Sequence, residues 1–199
     1  MSTFAFPLEL RFKIATIAND FVAKDASGKT LAYIRQKIFK LKSEVEVFSD
    51  ESKRQKMYTI KANQWIDFSA SYNFLDYEGK SIGRIGRKGW RSLWKAHYDL
   101  YDSQDQHEFV VNEENAWIKV IDSAVGELPL IGAFTGYVFN PAYLVKRVDN
   151  GQIVAKLRKE PSFWGRKFTI HKLEEMPPHD EERILLGLMM MILLERRRG

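Results

Sequence analysis

The side chains best suited to acid–base work near neutral pH are four histidines, His97, His107, His171 and His179. None forms a His-x-x-x-His pair and the chain has no cysteine, so the spacing offers no zinc site. Adjacent acids occur at Glu113-Glu114, Glu174-Glu175 and Glu181-Glu182. Neighbours in a strand point to opposite faces, so these pairs do not make a catalytic dyad by spacing alone. Asp20, Asp76 and Asp149 lie in or near turn-like stretches, where ordinary Asp turn chemistry accounts for them. The run Gly83-Arg84-Ile85-Gly86-Arg87-Lys88-Gly89 invites a phosphate-loop reading. Its glycines fall every three residues and no Gly-Lys-Ser/Thr follows, so glycines in a bent strand explain it more cheaply. No nucleophile–base pair stands out. The residues therefore point away from an enzyme and call for no metal or cofactor.

One basic stretch is better suited to binding. Lys80, Arg84, Arg87, Lys88, Arg91 and Lys95 are interleaved with Trp90 and Trp94, and no acid lies between Glu78 and Asp99. Cations among tryptophans fit anionic lipid headgroups, where Trp prefers the interface and each cation adds about 1 kcal/mol. They also fit single-stranded nucleic acid, through phosphate contacts and stacking. The plainer reading is a solvated strand face with two core tryptophans. The acid-rich segment Asp99–Glu114 that follows would pair with the basic stretch across a hairpin.

These residues need a scaffold, and the end of the chain suggests one. Eleven residues without a polar side chain, Ile184 to Leu194, lie between charged collars. Asp180, Glu181 and Glu182 precede them and Arg196, Arg197 and Arg198 follow, the order that a helix dipole prefers. Leu and Met favour helix, so residues 180–198 are expected to form one. A helix apolar all round must be enclosed by protein or by lipid. Eleven residues rise about 16 Å, short of the roughly 30 Å of a bilayer core. Lengthening the segment would draw Arg183 or Glu195 into hydrocarbon. Burial inside the protein follows, with Leu185, Leu188, Met189, Met190, Ile192 and Leu193 as the expected core of the helix.

The 199 residues can build one substantial core. Thirteen Phe, eight Tyr and five Trp lean toward β structure. Without cysteine there are no disulfides, which fits a reducing, cytoplasmic setting. The net charge of +5 allows anionic partners without demanding them. Residues 8–114 read as strands in hairpins: 21–24 with 31–34, 44–48 with 57–60, and 72–75 with 81–85. Further strands follow at 143–147, 153–158 and 166–172. Gly28, Gly79 and Gly151 anchor an internal repeat. Each has an Asp two or three residues earlier, a small residue at +4 (Ala32, Gly83, Ala155) and a branched one at +6 (Ile34, Ile85, Leu157). Positions +4 and +6 share a face. If that face points inward, the small residues leave room for a central helix.

Residues 115–141 break this rhythm with an apolar run, Leu128 to Phe139. It is too short to span a bilayer. It can cap a barrel, dip into a lipid surface, or meet a protein partner or a second copy; Leu130, Ile131, Phe134, Tyr137 and Phe139 are the candidate contacts.

Hairpins of the form Asp-x-x-Gly-Lys-x-Leu-Ala-x-Ile, the late strand Phe163–Ile170 and the terminal apolar helix together resemble the LURP-one-related proteins. Those proteins are grouped with the phospholipid scramblases and the tubby C-terminal domain. The resemblance covers roughly residues 8–198. It implies a single, mainly β (α+β) domain over 1–199: a closed antiparallel barrel of about twelve strands around a buried hydrophobic C-terminal helix. No tubby phosphoinositide motif or scramblase calcium motif matches, so the resemblance transfers no functional residue. Its lipid-linked relatives favour a binding module peripheral to an anionic membrane. A protein-interaction scaffold or homodimer built on residues 128–139 is the second reading. A nucleic-acid binder is the third and less favoured one.

Overall fold

Short runs that alternate inward apolar and outward polar side chains fold into twelve antiparallel strands. They are β1 (Leu8–Phe12), β2 (Phe21–Lys24), β3 (Thr30–Lys37), β4 (Glu44–Phe48), β5 (Lys56–Ala62) and β6 (Ser71–Asp76). Then come β7 (Ser81–Arg87), β8 (His97–Tyr101), β9 (His107–Glu113), β10 (Ala142–Arg147), β11 (Ile153–Glu160) and β12 (Lys167–Lys172). One helix, α1 (Pro178–Arg196), ends the series. The structure, a computed structural model, describes residues 4–13, 20–37, 44–63, 71–87, 97–114, 141–161 and 166–196. Each strand pairs with its neighbours in the chain and β1 closes onto β12, so the barrel leaves no open edge.

Three of the five hairpins at one end share a turn. Asp25, Asp76 and Asp102 each accept, through Oδ1, the backbone N–H groups two and four residues ahead. A residue of positive φ stands three positions after each: Gly28, Gly79 and Asp105. This is a type I turn with a bulge, whose twist suits the strands it joins. The glycine repeat identified two of these turns. It missed the third, because Asp105 at φ 65° does the work of the glycine. In the β10–β11 turn the side chain that accepts is Asn150, from the Gln152 N–H, and not Asp149 as its spacing suggested. Asp20 is also a correction: it is no turn residue but a buried carboxylate that accepts the Tyr33 hydroxyl.

A single apolar cluster takes inward residues from all twelve strands and from α1. Every residue from Arg183 to Leu193 is buried, so the helix is enclosed on all faces. Leu185, Leu188, Met189, Met190, Ile192 and Leu193 lie in that cluster, as the sequence implied. The helix starts at Pro178, two residues before the expected Asp180, because proline is at home in a first turn. Arg197 and Arg198 lie outside the described residues. Ala32, Gly83 and Ala155 are buried, as are Ile34, Ile85 and Leu157, so the repeated small-and-branched pattern does face inward. The outward positions carry charges such as Arg11, Arg35, Lys61 and Arg158, the reverse of a barrel whose outer surface meets lipid. Among the described residues no helix is long and apolar enough to cross a membrane.

Two close approaches seat the helix. A Cβ on Gly187 would stand 2.5 Å from Leu100 Cδ2. At Gly83 (φ 144°) a Cβ would stand 2.5 Å from the Tyr101 carbonyl and 2.7 Å from Arg183 Cδ. Arg183 itself seals the turn end of the barrel. Its guanidinium donates to Asp180 at 2.5 Å and to Glu108. Beside it Lys172 bridges Glu181 (2.8 Å) and Glu175 (2.6 Å), and Arg147 approaches Asp180 at 3.9 Å. The charged collar that the sequence places before the apolar run is thus drawn inside.

Five substitutions carry expectations for stability, each measurable by urea unfolding. Leu188→Lys buries an unpaired charge and should leave no cooperative transition; a folded variant would mean the helix is not enclosed. Gly187→Ala gains about 1 kcal/mol of helix propensity but overpacks Leu100, so it should be neutral to destabilising by about 2 kcal/mol. Gly83→Ala strains the backbone and meets a carbonyl that cannot move aside, so it should cost more, about 2–5 kcal/mol. Arg183→Ala strands two carboxylates and should cost about 3–5 kcal/mol. Arg84→Ala, at a pair whose Asp105 is open to solvent, should cost far less.

Candidate functional site

An up-and-down barrel sorts its connections by parity. The Asp-led turns all lie at one end, with the N-terminus of α1 and its ion pairs. The other rim is formed by the ends of odd strands and the starts of even ones. Their register pairs Phe12 with Phe21, Arg87 with Tyr98, Glu113 with Tyr143, and Glu160 with Lys167. The C-terminal turn of α1 reaches this same rim. There the Tyr98 hydroxyl donates to Glu195, and the Arg196 guanidinium lies 4.6 Å from the centre of the Phe12 ring.

Between the last turn of the helix and the wall of β1, β10, β11 and β12 lies a cleft of about 210 Å³. Its floor is apolar: Phe12, Tyr143 and Phe168 from the strands, Met191 and Ile192 from the helix. Its mouth carries three cations, Lys159, Arg166 and Arg196, and one carboxylate, Glu195. Burial, and then the charge of Arg166, holds the Arg196 guanidinium below its usual range. Two like charges facing a low-dielectric floor create a field that favours an anion. Chemically the site can hold and orient a negative group over an apolar surface.

The basic stretch read from the sequence does not form one patch among the described residues. A strand rises about 3.3 Å per residue, so β7 sets Lys80 and Arg87 roughly 20 Å apart, at opposite ends of the barrel. Lys80 is exposed at the turn end. Arg84 lies midway, donating to Asp105 at 2.5 Å and stacked 3.6 Å over the Tyr101 ring. It is one basic-to-acidic contact of the kind expected between residues 80–95 and 99–114, made to the β8–β9 turn; in the β7–β8 ladder Arg84 faces Tyr101. Asp105, held by Arg84, keeps its carboxyl below the ordinary carboxylate range. Arg87 is the last residue of β7, on the cleft rim. Lys88, Trp90, Arg91, Trp94 and Lys95 lie outside the described residues, but the strand ends that flank them, Arg87 and His97, belong to that rim. Leu130, Ile131, Phe134, Tyr137 and Phe139 are likewise outside the described residues, between Glu114 and Pro141 of the same rim.

Sequence reasoning missed the cleft residues Lys159 and Arg166 because they sit in separate strands with no motif between them. Strand parity was the signal that would have found them: it puts the end of β11, the start of β12 and the end of α1 on one rim. It also missed a convergence on the outer wall. His97 and His107 approach the buried Asp99 at 3.3 and 3.1 Å, one from β8 and one from β9. Among the described residues no group of three or more His, Asp or Glu is arranged to hold a metal ion.

No curated protein sequence matches this chain. Among solved structures it is similar to the X-ray structure of a protein from Arabidopsis thaliana, with a TM-score of 0.53 and 11% identity. The likeness covers 98% of this chain and 93% of that one, and it supports the barrel fold. The sequence model of the LURP-one-related proteins matches residues 30–176, from β3 to the approach to the helix, and the chain belongs to that family.

Proposed function

We propose that this domain is a non-enzymatic binding module that engages anionic phospholipid surfaces through the rim around the C-terminus of α1. The observation that carries the reading is the cleft, where Lys159, Arg166 and Arg196 stand over an apolar floor. A membrane interface offers the matching pair, negative headgroups above hydrocarbon. Two further facts support it. Arg87 and His97, which flank Lys88, Trp90, Arg91, Trp94 and Lys95 in the sequence, stand at this rim, and so do Glu114 and Pro141, which flank the apolar run 128–139. Tryptophan and cations are the side chains that membrane interfaces attract. At the turn end the cations beside the helix, Arg183 and Lys172, are committed to acids. The setting that fits is cytoplasmic and peripheral to a membrane.

Co-sedimentation with vesicles tests the proposal. The protein should bind phosphatidylserine-containing vesicles and not neutral ones, and high salt should release it. Each cation contributes about 1 kcal/mol, so Lys159→Glu with Arg166→Glu should weaken binding at least tenfold, roughly. Lys80→Glu, at the opposite end, should leave binding little changed. Equal binding to neutral vesicles, or equal loss in both variants, would remove the rim from the account.

A further inference from the structure

Arg166 shares the cleft with Arg196 and adds to the electrostatic cost of its charge, and neither makes an ion pair among the described residues. Arg196 is not merely a helix cap: its guanidinium stacks on Phe12, inside the cleft. The one carboxylate at the mouth, Glu195, is already engaged by the Tyr98 hydroxyl. The C-terminal end of the helix adds about half a negative charge. The two guanidinium groups, in no ion pair among the described residues, still keep the cleft positive.

We propose that this cleft is a phosphomonoester site: Arg166 and Arg196 grip the phosphate oxygens, Lys159 completes the cradle, and Phe12, Met191 and Ile192 seat the apolar group the phosphate is joined to. The proposal rests on the reading of the rim as a lipid-facing surface and names the headgroup it selects. A phosphomonoester carries about −1.5 to −2 at neutral pH, enough to meet both guanidinium groups. A phosphodiester or a carboxylate brings a single charge and meets only one of them. Guanidinium forks suit phosphate oxygens bidentately, and two forks provide more donors than one carboxylate can accept. At about 210 Å³ the cleft is smaller than the roughly 300–1,000 Å³ of pockets that enclose whole ligands. It therefore takes a head and the first atoms of its apolar body, and leaves the remainder outside. A lipid with a terminal phosphate has this form; so does a small soluble phosphomonoester.

The test compares phosphatidylcholine vesicles doped with phosphatidic acid or with phosphatidylserine, matched for surface potential, and titrates glycerol 3-phosphate and inorganic phosphate calorimetrically. The expected result is binding to phosphatidic acid about tenfold tighter or more, the contribution of one further charge-assisted hydrogen bond. The exposed Arg166→Gln should abolish that preference while keeping its fold, and Lys80→Gln should keep the preference. Equal affinity for the two charge-matched vesicles overturns the phosphomonoester site and leaves the membrane reading standing. Binding of glycerol 3-phosphate that Arg166→Gln removes, with no vesicle binding, keeps the site and assigns it a soluble source. Binding to none of the probes overturns both the site and the membrane reading.

Discussion

A helix with no polar face cannot be left against water, and every other feature of this domain answers to that constraint. From Ile184 to Leu193 each side chain is buried, whichever way it points. An enclosure of that kind needs a wall on all sides, and a sheet supplies one only by closing on itself. The twelve-strand ladder does so, and the interior is occupied by the helix instead of a ligand. The wall in turn depends on small residues where strand and helix meet. Gly187 admits Leu100, and Gly83 admits both the Tyr101 carbonyl and the stem of Arg183. Barrel and helix are therefore one folding unit: each side of the interface is apolar and incomplete without the other.

The direction of the helix makes the two ends of the barrel unlike. Its N-terminus brings Asp180 and Glu181 into a buried position, where they must be paired. Lys172, Arg147 and Arg183 provide the pairing, and Glu108 from the wall takes the other side of Arg183. That end is closed by mutual compensation. At the C-terminus the helix offers carbonyls and cations. The strands lining the cleft there add Lys159 and Arg166, and Arg166 is in no ion pair among the described residues. Compensation is incomplete in that cleft, which is where a ligand can complete it.

Most of the architecture was legible because it is written in local, repeated signals. The apolar run between charged collars announced an enclosed helix. The recurring turn with a small residue at +4 announced a wall built to admit it. The misses have local causes as well. The turn at Asp102 was invisible to a search for glycine, since Asp105 tolerates the same positive φ. Asp20 looked like a turn residue because its partner, the Tyr33 hydroxyl, is thirteen positions away. Of the basic stretch 80–95 only Lys80, Arg84 and Arg87 lie in the described residues, and β7 carries these three charges from one end of the barrel to the other. Conversely the cleft was illegible as a motif. Lys159, Arg166 and Arg196 share no spacing; the closure of the barrel brings them together.

The polarity of the helix bears on how strongly the cleft can favour an anion. The end of a helix dipole that faces the rim is the negative one, and it opposes an anion there. Its effect is about half a charge, spread over carbonyls within the last turn. The guanidinium of Arg196 lies in that same turn and is stabilised by those carbonyls, so the dipole offsets part of its burial cost. Tyr98 draws Glu195 into a hydrogen bond with the wall, which ties the one competing carboxylate to β8. What remains at the mouth is Arg166, exposed and in no ion pair among the described residues, beside a guanidinium already partly desolvated. A partly desolvated cation gains more from a bound anion than a fully hydrated one, because less water must be displaced when the anion arrives. The helix that fills the barrel and so denies it an internal ligand also holds at its end the cation around which an external one can be held.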